Sequence, residues 1–264
     1  MTQIHSIKSQ QELSSFTTEW SPKEYLNEFY TDDIDADERE ALKFQINYAK
    51  EHLTNKPLAL DFGSGPTALR ALAIAPYVSE IHIAEYLQGN IEELKKWVYN
   101  QPDGHDWDLF VEYILQCEGI KKPTDEQIEQ RKALTRGKIT KFFQADAGDK
   151  YPLGKEYDGY YQHVYSGFCA DSATNDKAVW KLYMHNIASL IASNGSFFTA
   201  ALRNTTSYAA GTHTFPSANI NENDMRNILE LDFLPQSITI EIRDLPEMKE
   251  HGFEGIILAH AIKK

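Results

Sequence analysis

The stretch "LALDFGSGPTALRALAIA", Leu58 to Ala75, decides the fold. An apolar run ends in Asp61, a Gly63-Ser64-Gly65-Pro66 turn follows, and an alanine-rich segment of helical character comes next. That order reads as a strand, a tight turn and a helix. Two glycines two apart strip the turn of side chains, so a ligand can lie against bare backbone N–H groups. The plainer reading is a structural strand-to-helix connection, and both stay open on this stretch alone. In open α/β sheets the ligand crevice lies at the carboxyl ends of the strands, where strand order reverses, and Asp61 to Thr67 is expected there. A second strand, "EIHIAEYLQGN", ends in Glu85, 24 residues beyond Asp61. An acid at that tip suits the two hydroxyls of a ribose. The third glycine of GxGxxG is missing and no GxxxxGK[ST] loop occurs, so neither a pyrophosphate helix nor a P-loop is supported. An adenosyl ligand without phosphates fits better, and S-adenosylmethionine is such a ligand; a degenerate dinucleotide site is the alternative.

Outward from this junction, strands are expected at 57–62, 80–85, 138–145, 157–166, 195–202, 235–242 and 254–262. Helices are expected near 66–75, 89–100, 172–193 and 221–231. Such alternation predicts an α/β fold, a seven-stranded, mostly parallel sheet with helices on both faces. Ahead of it, "SPKEYLNEFY" places Ser21 as N-cap and Pro22 at the first helical position, with Tyr25 and Phe29 on one face. A second helix, within "DIDADEREALKFQINYAKEHL", completes a segment over 1–55 with no role in a bare sheet. Between the second and third strands, 101–137 forms an insertion whose Trp107–Gly119 and Thr124–Thr135 stretches look helical. The 264 residues are expected to form one domain.

A formal charge of −13 argues against non-specific binding to nucleic acid or anionic membrane, partners that need a basic face. The two cysteines, Cys117 and Cys169, form no CxxC and are expected to be free thiols. No basic-then-apolar signal opens the chain and no apolar run nears the ~20 residues of a membrane span, so a cytoplasmic protein, monomeric and acting on a small molecule, is expected. HExxH, CxxC and DxDxDG patterns are absent, which implies no metal.

The chain resembles the nicotinamide, phenylethanolamine and indolethylamine N-methyltransferase family along nearly its whole length. The resemblance is carried by "SPKEYLNEFY", "LDFGSGPT", "AEYLQGNIEELKKWV", "HDW" and the terminal "EGIILAHAIKK". It implies a class I methyltransferase, Rossmann-like, with an N-terminal helical lid and S-adenosylmethionine as cofactor. Segments "FCADSAT", "AALR" and "FPSA" further resemble bacterial members that form pre-guanitoxin. Carried over position by position, Tyr25 and Tyr30 would close over the methionine part of the cofactor. Gly63, Ser64, Gly65 and Thr67 would contact it from the turn, Glu85, Tyr86 and Asn90 would hold ribose and carboxylate, and Asp146 and Ala147 would flank adenine. Glu85 stands where family members often have Asp. Ser166 joins this set from "GYYQHVYSGFCADSAT", which also brings Tyr160, His163, Tyr165, Phe168 and Asp171 toward the acceptor.

Tyr25 and Asp171 are the catalytic candidates; Phe29, Phe168, Asp171, Arg203, Tyr208 and Ser217 are the candidates for the acceptor. Several have a structural reading as well: Tyr25 and His163 in the core, Asn90 and Asp171 as helix caps, Asp146 capping its turn, Arg203 in a surface ion pair. The family's acid on the fifth strand is Ala200 here, so its acceptor clamp is not carried over, and Arg203 brings a positive fork suited to a carboxylate. Methyl transfer to a neutral amine needs alignment and exclusion of water more than acid or base help, so no catalytic triad is expected. The expected activity is N-methylation of a small polar amine, amino acid or guanidine. Two alternatives stand beside it: cyclisation of the cofactor's own amine to azetidine-2-carboxylate with release of methylthioadenosine, and non-catalytic cofactor binding.

Overall fold

The structure, a computed structural model, describes residues 13–264; residues 1–12, part of the expected 1–55 segment, lie outside the described residues. The chain begins with α1 (Pro22–Phe29) and α2 (Ala36–His52), then passes through β1 (Leu58–Phe62), α3 (Leu69–Ile74), β2 (Glu80–Glu85) and α4 (Gln88–Val98). The insertion supplies α5 (Asp108–Cys117) and α6 (Asp125–Lys138). There follow β3 (Ile139–Gln144), β4 (Tyr161–Gly167), α7 (Lys177–Ser189), β5 (Ile191–Leu202), β6 (Ser207–Ala210), β7 (His213–Pro216), α8 (Glu222–Asp232), β8 (Thr239–Asp244) and β9 (Gly255–Ile262).

Seven strands form one sheet in the order β3-β2-β1-β4-β5-β9-β8. Neighbours from β3 through β5 pair in parallel, whereas β9 runs antiparallel to both β5 and β8. Strand order therefore reverses between β1 and β4, which fixes the crevice above their carboxyl ends. Near-continuous burial of β1, β2, β4 and β5 reflects helices on both faces. One core joins α2 to α6 beneath the sheet through Leu42, Ile46, Leu72, Trp97, Phe110 and Ile128. The other joins α7 and α8 through Trp180, Ile187, Met225 and Leu229.

Local chemistry explains the element limits. Ser21 Oγ accepts the Glu24 N–H at 3.4 Å with Pro22 at N1, which starts α1 as expected. The helix expected over 172–193 begins only at Lys177, because Asp176 accepts the N–H groups of Ala178 and Val179 and so caps it. Strand starts at 157 and 235 move inward, since 155–157 and 235–237 are single 3₁₀ turns. The hairpin of β6 and β7, turning at Gly211, was not expected from the sequence. It stands apart from the main sheet and props the N-terminal segment: Ser14 N–H donates to Thr214 O at 2.8 Å, and Gly211 N–H to Glu28 Oε2 at 2.6 Å.

Candidate active site

The loops after β1, β2, β3 and β4 surround a cavity of about 470 Å³, roofed by the N-terminal segment and by Tyr208 of β6. The turn after β1 is its floor. Gly63 and Gly65 adopt φ of +74° and +60°, which L side chains rarely accept. Gly63 is also fixed by space: an added Cβ would lie 2.1 Å from Cys169 Sγ. Its N–H bonds Ala84 O at 2.7 Å, holding the turn against β2.

Glu85 is the hub. Buried at the tip of β2, its Oε2 accepts Gly65 N–H at 2.9 Å, and its Oε1 accepts Leu87 N–H at 2.9 Å and Asn90 Nδ2 at 3.0 Å. Burial raises its pKa, and these three donors counter that by favouring the carboxylate. Asn90 in turn accepts Trp20 Nε1 at 2.8 Å, so the roof is tied to the hub through one side chain. Asn90 is thus not the helix cap, a position held by Leu87. Asp146 caps its turn, its Oδ1 accepting Gly148 N–H at 2.7 Å, and the residue also lines the cavity.

Aromatic rings form the roof. Trp20 packs 4.6 Å from Tyr25 and 5.3 Å from Phe215, and Phe16 stacks on Phe215 at 4.5 Å. Below them the Tyr25 hydroxyl lies 3.3 Å from that of Tyr30, which donates to Glu38 Oε1 at 2.8 Å. Glu38 also pairs with Arg70 of α3. Burial pushes both tyrosines up, so they stay protonated donors. Asp61, buried behind the turn, is raised to about 7 by burial, with Arg70 opposing the shift.

Of the expected residues, Tyr25, Tyr30, Gly63, Ser64, Gly65, Thr67, Glu85, Tyr86, Asn90, Asp146, Ala147, Phe168 and Tyr208 line this one cavity. Five others do not. Phe29 packs on Tyr25 at 5.1 Å and on His251 at 5.3 Å. Ser166 is buried within β4 opposite Thr199. Ser217 is buried, its N–H donating to Thr206 O at 2.8 Å. Arg203 is taken by Glu222 at 3.0 Å and Asp244 at 3.4 Å, the ion pair of its structural reading.

Asp171 neither caps α7 nor lines the cavity. It accepts Leu202 N–H at 2.8 Å and its carbonyl accepts Ala218 N–H at 2.8 Å, joining the ends of β4, β5 and β7. Burial lifts its carboxyl to about 6. His163 is a core residue, bonded to Ser196 at 2.8 Å and lowered to about 4 by burial.

Sequence reading missed Phe16, Trp20, Glu38, Arg70, Cys169 and Tyr183, all on the cavity wall. Only the "FTTEW" aromatics just before Ser21 carried a local signal; the rest needed tertiary contacts. Among the described residues Arg70 is the only cation on the wall, and Glu38 already pairs with it. That wall cannot neutralise a pyrophosphate, while bare turn, carboxylate hub and aromatic roof suit an uncharged adenosyl group. The residues therefore fit S-adenosylmethionine, with Glu85, Asn90, Gly63, Gly65 and Asp146 all on the wall of the one cavity.

A family model described as the NNMT/PNMT/TEMT family matches residues 8–263. Similar proteins include human nicotinamide N-methyltransferase, 26% identical over 208 residues and 77% of each chain. Mouse indolethylamine N-methyltransferase is 23% identical over 205 residues, 76% of each chain. Among solved structures, magnesium protoporphyrin IX methyltransferase of Synechocystis with bound S-adenosylhomocysteine superposes with a TM-score of 0.57 at 12% identity, covering 92% of this chain and 93% of that one. The N-methyltransferase NodS of Bradyrhizobium japonicum gives 0.53 at 12% identity, covering 91% and 97%.

Proposed function

The chain belongs to the NNMT/PNMT/TEMT family of S-adenosylmethionine-dependent small-molecule N-methyltransferases, and from that premise we propose that its acceptor nitrogen belongs to a small polar amine, amino acid or guanidine. The observation that carries this reading is the size and wall of the cavity. About 470 Å³ must take both the cofactor and the reacting end of the acceptor, so the acceptor is small. Rings of Trp20, Tyr25, Phe168 and Tyr208 make a surface favourable to a nitrogen that is cationic in water. The resemblance of the segments "FCADSAT", "AALR" and "FPSA" to the bacterial pre-guanitoxin-forming members supports this reading.

Bound S-adenosylmethionine supplies a methyl group on a sulfonium sulfur, ready for in-line displacement by a neutral nitrogen. Glu85 and Asn90 orient the ribose side, and Gly63 and Gly65 keep the floor low. Tyr25, as a protonated donor, would hold polar ligand atoms from above while the Tyr30 O–H is spent on Glu38, and the Phe16–Trp20 roof would exclude water by closing over them. Asp171 acts through position alone, by fixing the loop that carries Phe168.

The test is product analysis. With S-adenosylmethionine and a panel of small amines, amino acids and guanidines, the protein should release S-adenosylhomocysteine and a methylated product only when an acceptor is present. Methylthioadenosine formed without acceptor would replace this reading with intramolecular cyclisation. Binding without turnover on any acceptor would replace it with a cofactor-binding module.

A further inference from the structure

Arg70 is a buried arginine with half of its fork unused. Its side chain is 6% exposed, Nη2 pairs with Glu38, and Nη1 is buried with no hydrogen-bond partner among the described residues. Its plane is held by two rings, with Tyr165 centred 5.2 Å and Phe168 5.9 Å from the guanidinium carbon. Phe168 takes that place from a left-handed backbone, φ +51°, pinned by its N–H to Ala200 O at 2.7 Å. A donor left over on a buried arginine is costly unless something comes to satisfy it, and Arg70 is one of the residues that line the cavity. Guanidinium forks match carboxylates.

We infer that Arg70 is the carboxylate anchor of the cavity, its Nη1 and the neighbouring Tyr25 hydroxyl receiving the carboxylate of a bound ligand while Glu38 and the two rings hold the fork still. The inference rests on the S-adenosylmethionine reading and narrows it. The carboxylate belongs either to the aminocarboxypropyl end of the cofactor or to an acceptor that is itself an amino acid. Tyr30 supports the arrangement by donating to Glu38, which leaves the Tyr25 O–H free to turn from Tyr30 toward the ligand. No group need change protonation, because both tyrosines stay neutral and Arg70 is held above its ordinary value by Glu38, against the opposing effect of burial.

Calorimetry with S-adenosylhomocysteine and with methylthioadenosine, which lacks the aminocarboxypropyl group, separates the sources. Arg70→Gln is compared with Arg70→Gln/Glu38→Gln, in which the buried pair is removed together so that no lone charge remains. A loss of at least tenfold for S-adenosylhomocysteine with unchanged methylthioadenosine affinity assigns the anchor to the cofactor. Unchanged binding of both, with KM raised at least tenfold for amino acids but not for their carboxamides, assigns it to the acceptor. Equal loss of both ligands in both variants, or no change in any readout, overturns the inference. If the wild type binds neither adenosyl ligand, the functional reading fails instead.

Discussion

Replacing Gly63 by alanine should be among the most damaging single-methyl changes in this chain, and the reason can be separated into two parts. The first is conformational: φ of +74° costs an L residue about 1–2 kcal/mol. The second is steric. The new Cβ would lie 2.1 Å from Cys169 Sγ and 2.6 Å from Cys169 Cβ. Rotating the thiol relieves the first contact and leaves the second, so backbone must move, at a cost of about 1–3 kcal/mol. Together Gly63→Ala should lose about 2–5 kcal/mol, a large share of the ~5–15 kcal/mol typical of a folded domain. Cys169→Gly removes both clashing atoms, and the next, Cys169 Cα, is at an ordinary 3.9 Å. Urea unfolding of the wild type, both single variants and the double variant should give a favourable coupling of about 1–3 kcal/mol. Additivity within about 0.5 kcal/mol would refute packing against Cys169 as the reason for the glycine.

Other outcomes follow from the same geometry. Tyr25→Phe removes one long hydrogen bond and keeps the ring, so turnover should fall more than stability, which should change by no more than about 1 kcal/mol; hydrogen exchange over residues 21–30 should slow when S-adenosylhomocysteine binds, and unchanged exchange with normal turnover would make this segment scaffold rather than lid. Trp20→Phe cuts the bond to Asn90 and should weaken S-adenosylhomocysteine binding severalfold, with equal affinity counting against a tie between roof and hub. Burial raises Asp61 to about 7, so the folded chain binds its proton more tightly than the unfolded chain, and its stabilising contribution is full below about 4 and lost as pH rises through about 7. Asp61→Asn should therefore flatten stability over that window and stabilise above it, by up to about 4 kcal/mol, whereas profiles that stay parallel in urea titrations at pH 5 and pH 8 would contradict the assignment.

What was legible in the sequence was local. The Leu58–Ala75 stretch gave strand, turn and helix because apolar run, glycine spacing and alanine content lie within 18 residues of chain. Glu85 was legible because a strand tip faces the crevice wherever the sheet is parallel. Arg203 was misjudged for the opposite reason: a fork at a strand end looks available until Glu222 and Asp244 arrive from 19 and 41 residues away. Glu38 and Arg70 carry no local signal in the sequence, because the packing of α2 on α3 is what buries them as a pair. The β6–β7 hairpin was hidden because its strands are only four residues each, and the residues it packs against, Ser14 and Trp20, lie far earlier in the chain.

The central claim is that the glycine turn and Glu85 together hold an adenosyl ligand. Titration calorimetry with S-adenosylhomocysteine tests it on the wild type, Glu85→Asp and Glu85→Ala. Aspartate keeps the charge with one methylene less reach and should bind within a few-fold of the wild type. Alanine leaves Gly65 N–H, Leu87 N–H and Asn90 Nδ2 without their acceptor and should weaken binding at least tenfold. Undiminished affinity in Glu85→Ala, or no binding by the wild type, would contradict the account.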